Sequence, residues 1–129
     1  MSIFTKIING EIPCHKIAED DDHLAFLDIM PLKTGHVLVI PKQPVDYIFD
    51  MDPADFAALN LFARKVAKGI KSAISCKKIG VAVIGLEVPH AHIHLIPISS
   101  VSDMDFSKEK MNPTKDELEA TANLIRTFL

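Results

Sequence analysis

The chain has only two cysteines, few aromatic residues and no long apolar run, and each shortage removes a class of protein. Cys14 and Cys76 stand far apart in 129 residues, and a domain of this size needs no disulfide, so reduced thiols in a cytosol are expected. No apolar stretch approaches the roughly 18 residues that cross a bilayer, and Met1 to Gly10 has no long apolar core of the secretory kind. The expectation is a cytoplasmic protein without membrane contact. Basic residues are not in excess either. With 14 lysines and arginines against 17 acids the net charge is -3, which argues against gripping bulk nucleic acid by its phosphates and favours a small ligand. Low-complexity tracts, internal repeats and Pro/Gly/Ser-rich linkers are also missing. What remains, 48% hydrophobic residues over positions 1–129, reads as one compact domain.

The pattern of apolar residues divides that domain into elements. Ser2 to Gly10 reads as a short helix with Ser2 as N-cap and Gly10 as stop. Strands are predicted around His15 to Glu19 and His23 to Ile29, with Asp20-Asp21-Asp22 as the turn, and a third over His36 to Ile40, closed by Pro41. A long helix begins at Asp52, which can cap the first turn, and carries Phe56, Leu59, Phe62, Val66, Ile70 and Ile74 on one face. Two more strands, Ile79 to Ile84 and Val88 to Ile98, flank the tight Gly85-Leu86-Glu87. Ser99 to Asn112 reads as a mobile loop, and 113–129 as a helix opened by the capping box Thr114 to Glu117 and burying Leu118, Ala122, Ile125 and Leu129. Short connections between strands, with helices set apart, predict an α+β fold: a five-stranded antiparallel sheet with one long, one short N-terminal and one C-terminal helix.

The densest chemistry lies in Pro89-His90-Ala91-His92-Ile93-His94-Leu95-Ile96-Pro97. On a strand, alternate side chains face alternate sides, so His90, His92 and His94 would share one face, about 6.6 Å apart at a rise of about 3.3 Å per residue. Three readings are open. The imidazoles could be polar residues on a wet face. They could ligate zinc, although the outer two span about 13 Å, too far for all three to reach one ion at about 2.1 Å without strong bending. Or the middle ring could be a nucleophile positioned by its neighbours. A neutral imidazole has a free lone pair near pH 7, and attack on phosphorus would give a phosphoramidate that water can cleave.

This run resembles the histidine triad signature of the HIT nucleotide hydrolases and transferases. Three upstream stretches are similar to the Hint-like branch of that family: Ser2 to Pro13, Leu24 to Ile29, and Gly35-His36-Val37-Leu38-Val39-Ile40-Pro41-Lys42. The likeness spans 1–98. It implies that His92 attacks the α-phosphorus of a nucleotide, forming a nucleotidyl-histidine intermediate. His90 and His94 would orient it, bind phosphate and assist the leaving group, with His36 as a further buried partner. Asp28 would accept both ribose hydroxyls, and Ile3, Phe4, Ile7, Phe26 and Ile29 would form the slot for the base. The substrate implied is a nucleoside phosphoramidate or a similarly substituted monophosphate, hydrolysed without metal or other cofactor, by a homodimer whose two sheets join edge to edge. A nucleotide sensor with little catalysis and a dinucleoside polyphosphate hydrolase are the alternatives.

Two departures from the family pattern stand out. Where relatives carry an Asn and then Gly-Gln-Ser for the phosphate, this chain has the shorter Val83-Ile84-Gly85-Leu86-Glu87-Val88. Gly85 matches and is kept as a nucleotide-binding candidate; Leu86 and Glu87 do not match, and Glu87 would bring negative charge toward an anion. Some relatives also hold a structural zinc through two cysteines three apart in the first helix. Those positions here are Ser2 and Thr5, so that site is expected to be absent. His15 and His23 fall outside every motif and read as surface residues beside turns.

Overall fold

The structure, a computed structural model, describes residues 2–129. Three α-helices and five strands follow in the order α1 (Ile3–Ile8), β1 (Lys16–Glu19), β2 (His23–Leu27), β3 (Val37–Pro41), α2 (Pro53–Ala73), β4 (Lys78–Ala82), β5 (Ile93–Ile98) and α3 (Lys115–Arg126). The strands form one antiparallel sheet in the order β1-β2-β3-β5-β4, the α+β architecture the pattern predicts. Among the described residues no helix is long and apolar enough to cross a membrane.

Alternation along the central strands builds two cores on opposite faces. Ala25, Leu27, Val37, Val39, Ile93 and Leu95 meet α2 and α3 through Leu59, Val66, Ile70 and Ile125. Side chains of this size, fully withdrawn from water, contribute about 1.5 to 3 kcal/mol each. Leu24, Phe26, Leu38 and Ile40 point the other way and are covered by Phe4 of α1. His94 lies opposite Leu38 in the ladder and therefore faces this second, smaller core.

The caps behave mostly as the sequence predicts. The Ser2 hydroxyl accepts from the Thr5 amide at 3.1 Å, and Thr114 and Glu117 close a reciprocal capping box. Asp52 precedes α2 without a side-chain bond to it, leaving Pro53 to open the helix. Helix α3 ends at Arg126, so Leu129 lies beyond it and rests, half exposed, against Gly69 of α2, where a Cβ would collide with its Cδ2.

Three further expectations are corrected. The last strand does not begin at Val88: β5 starts at Ile93, and of the three imidazoles only His94 belongs to it. Continuing the register would set Ala91 against Pro41, which has no N–H to give, and the Ala91 amide donates instead to the Val45 carbonyl at 2.7 Å. His23 is not at the surface. It is 7% exposed, stacked on Phe62 of α2 with centroids 5.0 Å apart, its Nδ1 bonded to Asp20 at 2.9 Å. The 99–112 segment has local structure of its own: a 3-10 turn over Val101–Met104, closed by a capping box between Ser100 and Asp103.

Candidate functional site

Gly35 leads the chain into the site. Its φ of +92° suits glycine, and a Cβ there would lie 3.0 Å from Ile74 Cγ1 and 3.2 Å from Pro97 Cγ. The next residue, His36, is 1% exposed and bonded at both ring nitrogens. The Leu32 amide donates to its Nδ1 at 3.1 Å, so the ring proton sits on Nε2, which donates to His94 Nδ1 at 2.9 Å. His94 is thereby left with its own proton on Nε2. A main-chain amide thus fixes the tautomers of two imidazoles in series.

His92 is set by a different main-chain group. Its Nδ1–H donates to the His90 carbonyl at 2.8 Å, which places the lone pair on Nε2. Its ring meets Phe4 and His94 edge to face, both at 5.0 Å between centroids. No buried side-chain nitrogen or oxygen lacks a partner among the described residues, so the unbonded Nε2 atoms of His92 and His94 must reach open space. His90 is turned away. Its ring is 0% exposed, with Nε2 donating to the Pro41 carbonyl at 2.7 Å and Nδ1 beside the Ser2 hydroxyl at 3.4 Å, which leaves no nitrogen for a phosphate.

Burial sets the charges. It pushes His36 down to about 3, helped by the neighbouring His94 and Lys110, and pushes His94 down to about 4, helped by His92. Burial also lowers His90, against the pull of its bond to Pro41. The half-buried Asp28 carboxyl is raised by desolvation, offset in part by the Met30 amide, which donates to Oδ1 at 3.0 Å. Its Oδ2 stands 3.7 Å from His36 Nε2.

Asp28, His36 and His94 bring possible metal-ligating atoms within 4.8 Å of one another. The two imidazoles, however, have nitrogens 2.9 Å and centroids 5.2 Å apart, so each bonding nitrogen points straight at the other. That is the geometry of an N–H···N bond. Zinc needs lone pairs converging on one point at about 2.0 to 2.1 Å, and to fit one here the rings would have to part.

These groups border a cavity of 430 Å³, a size that holds small ligands. Of the residues singled out from sequence, Ile3, Phe4, Asp28, His36, Gly85, His92 and His94 lie on its wall. Ile7, Phe26 and Ile29 do not: Phe26 lies beneath Phe4 at 5.6 Å between centroids, Ile7 packs on the second core, and Ile29 is 61% exposed. Glu87 and Leu86 both border the cavity, Leu86 at its rim with 89% exposure. Sequence reasoning missed Leu38, Ile84, Val88, Phe106 and Lys110. Phe106 is the one aromatic residue in the 99–112 stretch, a signal that was available.

An α+β sheet with a two-faced core and imidazoles spaced two apart defines a histidine-triad protein. The chain belongs to the HIT family, whose domain model matches residues 9–101. Among its relatives, an uncharacterised HIT-like protein of Methanocaldococcus jannaschii is 42% identical over 108 residues, 75% of this chain and 78% of that protein. The adenosine 5'-monophosphoramidase of Schizosaccharomyces pombe is 38% identical over 96 residues, 74% of this chain and 72% of the enzyme. A Hit-like protein involved in cell-cycle regulation from Bartonella henselae, solved with an unknown ligand, superposes with a TM-score of 0.86 at 34% identity, covering 99% of this chain and 96% of that one.

Proposed function

We propose that the chain is a nucleotide hydrolase or transferase acting on a nucleoside phosphoramidate or a similarly substituted nucleoside monophosphate. The observation that carries this reading is the His92 Nδ1–H bond to the His90 carbonyl, which leaves the Nε2 lone pair free at the cavity. Nε2 attacks the α-phosphorus as the bond to the leaving nitrogen breaks with its electron pair, that nitrogen taking a proton from solvent and departing as the amine. His94 Nε2–H, held in that tautomer by His36, donates a hydrogen bond to the departing atom or to a phosphoryl oxygen. Water then cleaves the P–Nε2 bond, releasing the monophosphate and regenerating the imidazole. Asp28 offers its carboxylate to the ribose hydroxyls. The S. pombe phosphoramidase supports the choice of substrate class.

The second reading, a nucleotide-binding module with little catalysis, is favoured by Glu87 at the cavity in place of a neutral donor. Turnover across a panel of adenosine and guanosine phosphoramidates, with binding of the monophosphates measured alongside, decides between them. Release of amine with monophosphate on the panel is the expected result, and binding without turnover would select the module.

A homodimer is part of the proposal. Strand β4 is an edge of the sheet, and Val81, Val83 and Ile84 stand exposed along and just beyond it. Unpaired edge amides beside exposed apolar side chains are covered when two copies pair. Sedimentation should give twice the 14.3 kDa of one chain, and Val81→Lys should shift the equilibrium toward the monomer.

A further inference from the structure

The cavity wall includes a stretch that lies outside residues 9–101, the part matched to the family. Beyond β5 the chain folds back over the histidines. The Phe106 ring meets His94 edge to face at 5.0 Å between centroids and His36 at 6.4 Å. Lys110 follows, its Nζ donating to the Phe106 carbonyl at 2.6 Å and to the Lys108 carbonyl at 3.2 Å. The segment is fastened at both ends, by Lys33 to Asp103 at 3.1 Å and by the Met111 amide to the Pro31 carbonyl at 2.9 Å. Lys110 is therefore a cation held by two main-chain carbonyls at the cavity wall.

The charges around it give that cation a task. Asp28 and Glu87 bring carboxylates to the cavity, while His36 and His94 are neutral near pH 7. Among the described residues, Lys110 is the one lysine or arginine on the wall. A doubly charged phosphate entering this space would otherwise meet two like charges and uncharged rings. The Leu86-Glu87 stretch supplies no side-chain donor in compensation. An ammonium has three N–H donors, and two of those on Lys110 are taken.

We infer that Lys110 is the phosphate-binding cation of this site, its third N–H reaching a non-bridging oxygen of the nucleotide. The inference rests on the reading of the cavity as a nucleotide site. It places the phosphate anchor after the triad, on a segment the family match does not include, instead of in the loop before it. A purely local task, neutralising Asp28, is the competing account. It makes a different prediction, because Asp28 faces the ribose in the proposed complex and its loss would be felt by a nucleoside as much as by a nucleotide.

The test compares Lys110→Gln with the unaltered protein by calorimetric titration of adenosine 5'-monophosphate and of adenosine, with guanosine and its monophosphate as a second pair. Loss of one charge-assisted bond should weaken the monophosphate about 10- to 100-fold and leave the nucleoside within about twofold. Turnover should fall through KM more than kcat, Lys110→Arg should restore most of the loss, and the variant's monophosphate affinity should depend less on salt. Equal weakening of nucleoside and monophosphate, or no change in either, would overturn the assignment. If the unaltered protein binds neither pair, the inference falls together with the nucleotide reading. Selective weakening in a protein that binds but does not turn over upholds Lys110 and refutes only the hydrolase.

Discussion

Replacing His92 by alanine should lower turnover at least about 10⁴-fold while nucleotide affinity changes only severalfold. The size of the effect follows from the absence of a substitute. His94 Nε2 carries a proton because its Nδ1 accepts from His36, and the His90 ring is buried with both nitrogens engaged. Neither offers a lone pair to phosphorus at the cavity. The substitution also removes a ring from between Phe4 and His94 and leaves the His90 carbonyl without its donor, so about 1 to 3 kcal/mol of stability should go with it. Thermal unfolding establishes that the variant is folded, and rapid quenching of the unaltered protein with a phosphoramidate should trap nucleotide on His92. Turnover that persists in a folded His92→Ala protein would remove this residue from the reaction.

The second large effect is expected at His36, which no substrate need touch. His36→Leu strands the part-buried Leu32 amide and the buried His94 Nδ1, which together cost about 2 to 4 kcal/mol when unpaired. It also frees His94 to change tautomer, so turnover should fall about 100-fold. The pH dependence separates this from general damage. His36 titrates at about 3 in the folded chain and His94 at about 4, against an ordinary 6.5, so the unfolded chain binds more protons through that interval. The associated stability is complete above about pH 6.5 and is lost as pH falls toward 4, each group contributing up to about 1.4 kcal/mol per unit. Asp28, whose carboxyl is raised, works in the opposite sense at the acid end. Urea unfolding from pH 8 to 4 should therefore show a slope that is shallower in His36→Leu. Parallel slopes would mean that His36 does not remain neutral in the folded chain.

Much of this molecule is written locally. Short apolar runs bounded by the Asp20-Asp21-Asp22 turn and by Pro41 locate β2 and β3, and the Thr114 capping box marks the start of α3, because those signals depend on neighbours in the chain. The spacing of His90, His92 and His94 is legible for the same reason, whereas Asp28 is singled out only by the family resemblance. What escapes is whatever depends on a partner distant in sequence. The alternation of His90 to His94 reads as continuous strand, yet the ladder stops because the residue facing Ala91 is Pro41, which only the register reveals. His23 reads as a surface residue because its cover, Phe62, arrives from α2. Phe26, expected in the base slot, supports Phe4 from below and does not line the cavity. Phe106 and Lys110 have no motif to announce them; they reach the site by the return of a loop across the sheet.

One consequence of the Leu32 contact extends to experiment. Because that N–H closes on the imidazole of His36 at the cavity and not on a carbonyl, the two states of the ring are transmitted to a single main-chain proton. Its nitrogen-15 resonance and its rate of deuterium uptake become a built-in gauge of imidazole tautomer, readable in the free protein with no ligand or label in the cavity.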